Sequence, residues 1–109
     1  MDYTDVLRHL SIEDAQLAEH LAERDDDIAS AVLDPKTVAL VRLAALVAIG
    51  GAVPTYSGLT DAAIGMGATP EEIVEVLVAI VPTVGLPRAV SAAPSVALAL
   101  GYDVEEALE

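Results

Sequence analysis

An all-α fold, a helical-hairpin bundle of about five to six helices, follows from three observations on this 109-residue chain. Two helix starts of one type, Asp34-Pro35-Lys36-Thr37 and Thr69-Pro70-Glu71-Glu72, enclose its least polar stretch. Apolar residues recur at helical spacing rather than in strict alternation. Glycines at Gly50-Gly51, Gly67 and Gly101 stand where helices of ordinary length would stop.

Taking the elements in order, Ser11-Ile12-Glu13-Asp14 reads as a helix start, with Ser11 as N-cap and acids in the first turn. Ile12, Ala15, Leu17, Ala18, Leu21 and Ala22 would form its apolar stripe. The like charges of Asp25-Asp26-Asp27 weaken the pattern there. Asp34 is the next N-cap, and Pro35 suits the first helical position, where its missing N–H costs nothing. From Val38 to Ile49 every residue but Arg42 is apolar, so that helix needs cover on most sides. Pro54 begins a short helix to Met66. Thr69 and Glu72 then form a capping box, and Ile73, Val76, Leu77 and Ile80 share the face that follows. The valine-rich run Val74–Val84 invites a strand assignment, but the capping box and the 3.6 period outweigh it. Pro82 should kink or end this helix. A last one starts near Pro87 and runs toward Leu100, with Pro94 bending or dividing it.

Length gives a single domain over 1–109, made of an acidic N-terminal helical segment (1–32) and a scaffold (33–102). Residues 1–34 hold ten acids and two arginines, residues 35–102 four acids and three bases, and residues 103–109 four acids and no base. Apolar residues make up 54% of the chain, yet phenylalanine and tryptophan are absent. Ala, Val, Leu and Ile must build the core, and more apolar surface is present than one small core consumes. A homo-oligomer, trimer or hexamer rather than dimer, is expected to bury the rest.

A net charge of −13 disfavours nucleic acid, whose phosphates call for Lys and Arg, and anionic membrane surfaces alike. The acidic excess is compatible with life at high salt, but a GC-rich genome gives a similar composition. Without cysteine there is no disulfide, no thiolate nucleophile and no thiol metal site. Met1-Asp2-Tyr3-Thr4-Asp5 lacks the basic segment of a signal peptide. The longest uncharged run, from Leu43 to Thr60, is broken by Gly50, Gly51, Pro54 and Gly58. A cytoplasmic protein is expected.

Leu33-Asp34-Pro35-Lys36-Thr37, Leu40-Val41-Arg42-Leu43-Ala44-Ala45-Leu46 and Gly50-Gly51 resemble the carboxymuconolactone decarboxylase family. So do Asp61-Ala62-Ala63, the run from Gly67 to Leu77, and Pro82-Thr83-Val84-Gly85-Leu86-Pro87-Arg88-Ala89. The resemblance covers about residues 33–92. It implies an all-helical, alkylhydroperoxidase D-like, homo-oligomeric protein, from a family that includes lactone decarboxylases and thiol peroxidases. The peroxidase branch carries Cys-x-x-Cys and a His four residues on, after the Gly-Gly turn. Counting back from Gly67-Ala68-Thr69, those positions are Ala52, Thr55 and Leu59 here, and neither thiol nor imidazole is present. A glutamate of the preceding helix is replaced by Ala39 or Leu40.

No catalytic residue is assigned, and no cofactor or metal is implied. Arg42, the only charge between Lys36 and Asp61, suits bidentate capture of a substrate carboxylate in an interface pocket, or an ion pair with Asp34, Asp61 or a neighbouring subunit. Thr55 and Tyr56 offer hydroxyls at a helix start, and a helix cap or interface aromatic would use them equally well. Ser57 has no histidine in the scaffold to serve as its base. Arg88 either faces the pocket of Arg42 or pairs with an acid near its own helix start. His9 and His20 read as solvated or helix-pairing rather than metal-binding, and Asp25-Asp26-Asp27 lacks the alternating ligands of a calcium loop. Two functions follow: a cysteine-free enzyme or binding protein for a carboxylate- or lactone-bearing compound, or a non-catalytic oligomeric scaffold that lost the family site.

Overall fold

The computed structural model describes residues 2–12, 32–104 and 106, in two compact units, Met1–Val32 and Leu33–Glu109. Among the described residues there are five helices and no strand. The first unit contributes α1 (Tyr3–Ser11); the second contributes α2 (Pro35–Ile49), α3 (Val53–Gly65), α4 (Pro70–Val84) and α5 (Leu86–Ala99). The all-α reading holds.

Helix α1 starts because the Asp2 carboxylate accepts from the Asp5 N–H at 3.0 Å and from the Thr4 hydroxyl at 2.6 Å. Those bonds hold the Asp2 carboxyl below the usual range, the Thr4 hydroxyl first and the Asp5 amide next. Ser11, expected as an N-cap, is the last residue of this helix. Its hydroxyl donates to the Leu7 carbonyl at 2.7 Å, a backbone competition that serine makes wherever a helix already supplies the acceptor. The expected stripe beyond Ile12, the fading at Asp25-Asp26-Asp27 and the pairing of His20 lie outside the described residues.

In the second unit the two proline-marked starts form as their residue types dictate. Asp34 accepts from the Thr37 N–H at 2.8 Å and from its hydroxyl at 3.0 Å. Thr69 and Glu72 complete a reciprocal capping box: the Thr69 hydroxyl accepts from the Glu72 N–H at 3.1 Å, and the Glu72 carboxylate from the Thr69 N–H at 3.0 Å. The second oxygen of Glu72 pairs with Lys36 Nζ at 2.9 Å, which joins the first turns of α2 and α4. The Thr69 amide, then Lys36, hold the Glu72 carboxyl below the ordinary range.

The sign of that shift gives a pH prediction. A depressed folded pKa contributes stability that is present above the unfolded carboxylate range and lost as pH falls through the folded value. Glu72→Gln keeps an acceptor for the Thr69 amide but removes the charge. The melting-temperature gap between wild type and Glu72→Gln should therefore narrow from pH 7 to pH 3 in thermal melts. A constant gap would contradict this.

All four helices of the second unit meet one another, and their inward faces share one core. Leu43 and Val47 of α2, Ala63 of α3, Ile73 of α4 and Ala92 and Val96 of α5 are essentially fully buried in it. Burying each of the larger side chains contributes roughly 1.5–3 kcal/mol. Pro82 and Pro94 do not break their helices: α4 runs through the former to Val84 and α5 through the latter to Ala99. Pro82 lies in the last turn of α4, where it forfeits one N–H bond, to the Val78 carbonyl, with only Thr83 and Val84 left in the helix after it. Pro94 is flanked by Ala92 and Val96, whose burial holds the helix on both sides of it.

Thr60 of α3 is also fully buried, and its hydroxyl has no hydrogen-bond partner among the described residues. An unsatisfied buried hydroxyl costs about 1–3 kcal/mol. Thr60→Val, of nearly the same shape, should raise stability by about 1 kcal/mol in chemical denaturation. A loss of stability would show that the hydroxyl is satisfied in solution.

Candidate functional site

The residues singled out in the sequence gather around the link from α2 to α3. Helix α2 ends at Gly50, whose N–H donates to the Leu46 carbonyl at 2.7 Å. Gly50 has φ 83° and ψ 152°, a conformation open to glycine and strained for other residues. The chain then re-enters a helix at Val53, with Ala52 as an N-cap that makes no side-chain capping bond. The N–H of Thr55 donates to the Ala52 carbonyl at 3.0 Å, and the Thr55 side chain is exposed next to Gly51: a Cβ built there would stand 3.9 Å from Thr55 Cβ.

Arg88 reaches this link from the first turn of α5. Its Nη1 donates to the Ile49 carbonyl at 3.3 Å, and a Cβ at Gly50 would lie 3.2 Å from the same nitrogen. The guanidinium is thus tied to the end of α2 and not to an acid near its own helix start. Its remaining N–H groups are in a fork suited to a carboxylate. Thr55 and Arg88 therefore flank one turn, although they are far apart in sequence.

The other positions divide between surface and core. Arg42 is exposed on α2, seven residues before Ile49. Two helical turns place the two on one face about 10 Å apart along the axis. Ala52 is exposed. Tyr56 is only 5% exposed and belongs to the core cluster, and Leu59 packs against that cluster half-buried. Where the redox branch of the resemblance would carry its thiols and imidazole, this chain presents a methyl, a hydroxyl and a leucine turned to the core.

Two features escaped sequence reasoning. One is the Ile49 carbonyl as the partner of Arg88, a contact over 39 residues that no spacing rule reports. The other is an open groove of about 530 Å³ between α2 and α4, lined by Leu40, Val76 and Ala79 and by Glu71, Glu72 and Glu75. Along α4 its residues stand three or four apart, Glu71 with Glu75 and Ala79, Glu72 with Val76, a spacing that was legible. Among the described residues no group of three or more His, Cys, Asp or Glu is placed to hold a metal ion, and no helix is long and apolar enough to cross a membrane.

The all-α fold agrees with what the comparison with known families returns. The carboxymuconolactone decarboxylase family model matches residues 15–98, and the chain belongs to this family. No curated protein and no solved structure matches the chain.

Proposed function

We propose that this is a homo-oligomeric, carboxymuconolactone decarboxylase-like protein of small-molecule metabolism that binds a carboxylate- or lactone-bearing compound at the α2–α3 turn. The observation that carries the reading is the placement of the Arg88 guanidinium on the Ile49 carbonyl, beside Thr55 and the uncapped start of α3. At this start Pro54 has no N–H and those of Thr55 and Tyr56 are taken by the Ala52 carbonyl, so the Val53 amide and the positive end of the helix dipole are what the helix offers an anion. Arg88 supplies a fixed cation, Thr55 a hydroxyl, and Tyr56 the wall behind them. Arg42 adds a second cation on the face of α2 that leads to the turn. Without cysteine the thiol chemistry of the peroxidase branch has no nucleophile. With Leu59 in the core no imidazole stands by to move a proton, so the residues support binding and orientation rather than acid–base turnover.

Calorimetric titration of muconolactone, a lactone bearing a carboxylate, tests this reading. Arg88→Ala and Arg42→Ala should each weaken binding about 10- to 100-fold while helix content stays unchanged. γ-Butyrolactone, which lacks the carboxylate, should bind weakly to all three proteins. Equal affinity in wild type and both variants would contradict the assignment.

A non-catalytic scaffold is the second reading, favoured by the burial of Tyr56 and Leu59 and by the exposed apolar side chains of Val41, Ile49 and Val53. An intact oligomer that binds no carboxylate would select it.

A further inference from the structure

We propose that the groove between α2 and α4 docks a basic amphipathic helix of a partner protein, with its apolar residues on the groove floor and its cations on Glu71 and Glu75. None of the lining residues belongs to the α2–α3 turn. The proposal does not depend on what that turn binds.

The floor is set by register. Lys36 of α2 and Glu72 of α4 pair at 2.9 Å, and one helical turn further along each helix stand Leu40 and Val76. Both are half-buried, and Leu40 also packs against the core. Ala79 follows on α4, where a methyl in place of a longer side chain leaves the groove of about 530 Å³ open. From Glu71 to Ala79 the lining tracks α4 for about 12 Å, room for about two turns of an opposing helix.

Charge names the partner. Glu71 and Glu75 are exposed and four residues apart, a spacing at which like charges share a face and repel. Among the described residues neither carboxylate has an ion-pair or hydrogen-bond partner, whereas that of Glu72 is held by Lys36 and the Thr69 amide. Two unpaired carboxylates beside an apolar floor complement a helix that carries Lys or Arg four residues apart next to an apolar stripe. A second copy of this chain, with 18 acids against 5 bases, brings more repulsion than pairing. Nucleic acid and anionic lipid are repelled likewise. The groove of about 270 Å³ between α4 and α5 is lined by apolar residues alone, Val78, Leu86 and Val90 among them, and serves as the control surface.

The probe is a short fluorescent peptide with lysines and leucines on adjoining faces of one helix, titrated by anisotropy into the full chain. Glu71→Gln combined with Glu75→Gln should weaken its binding about 10- to 30-fold, and Ala79→Lys, which adds bulk and a cation to the open end, about as much. Asp61→Asn, a charge change on the exposed surface of α3, should cost less than about twofold. Oligolysine of the same charge should bind about tenfold more weakly, since it brings no apolar face. Amide shifts with the probe should centre on Leu40, Glu75, Val76 and Ala79. Wild-type affinity in both groove variants, oligolysine binding as tightly as the probe, or shifts along the α4–α5 groove would each overturn the proposal. No binding to wild type, with an oligomer that dissociates in Ala79→Lys, would overturn it and give the groove to a second copy. Ala79 is exposed and lysine is a good helix former, so this variant decides if the double one loses helicity.

Discussion

Replacing Leu43 with alanine is expected to destabilise the second unit by about 2–5 kcal/mol, the range for deleting a fully buried leucine side chain. Leu43 is among the largest residues with no exposed surface, and it sits in the middle of α2, the helix that meets each of the other three. Truncation removes the transfer free energy of the side chain and leaves a cavity that α3, α4 and α5 cannot collapse at once. For a domain of this size each kcal/mol lowers the melting temperature by roughly 4–8 °C. The drop should therefore be roughly 8–40 °C by thermal circular dichroism. Val41, on the exposed side of the same helix, provides the comparison: Val41→Ala should change little in a dilute sample. A Leu43→Ala melt within a few degrees of wild type would show that α2 is not the centre of the core.

The second large effect is expected at Gly50. Both Gly50 and Gly85 end a helix at nearly the same backbone geometry, φ 83° and ψ 152° against φ 92° and ψ 148°. A side chain in that region costs about 1–3 kcal/mol of backbone strain. The two positions differ in what a Cβ would meet. At Gly85 the nearest atom is Pro87 Cδ at an ordinary 3.7 Å, whereas at Gly50 it is Arg88 Nη1 at 3.2 Å. Gly85→Ala should therefore lose stability only, while Gly50→Ala should lose stability and also shift the arginine from the Ile49 carbonyl. Paired melts and muconolactone titrations separate the two. If Gly50→Ala keeps wild-type affinity, Arg88 at its observed place does not matter to the site.

The scaffold was legible because its signals are local. Asp34-Pro35 and Thr69-Pro70 announce their helices within four residues, and the structure supplies each capping bond. Gly50 and Gly67 likewise mark their stops by the positive φ they adopt. Errors arose where a local signal met tertiary context. Pro82 read as a kink or an end and Pro94 as a bend or a division; neither ends nor divides its helix. Ser11 had the composition of an N-cap, and the helix preceding it took its hydroxyl. The site was legible only in outline. Thr55 and Arg88 were named from their types and from the family resemblance, but their meeting at one turn depends on how α5 packs on α2. Tyr56 showed the limit most clearly: a hydroxyl-bearing residue at a helix start gives no sign in sequence of which way it faces, and the core took it.

The most direct test of the central claim, that the α2–α3 turn holds a carboxylate, is amide chemical-shift mapping of muconolactone on the intact protein. The account predicts the largest shifts at Gly50, Gly51, Thr55 and Arg88, with smaller ones at Arg42 and none along the α4–α5 groove. Shifts concentrated at Glu71, Glu75 and Val76, or no shift anywhere at millimolar ligand, would contradict it.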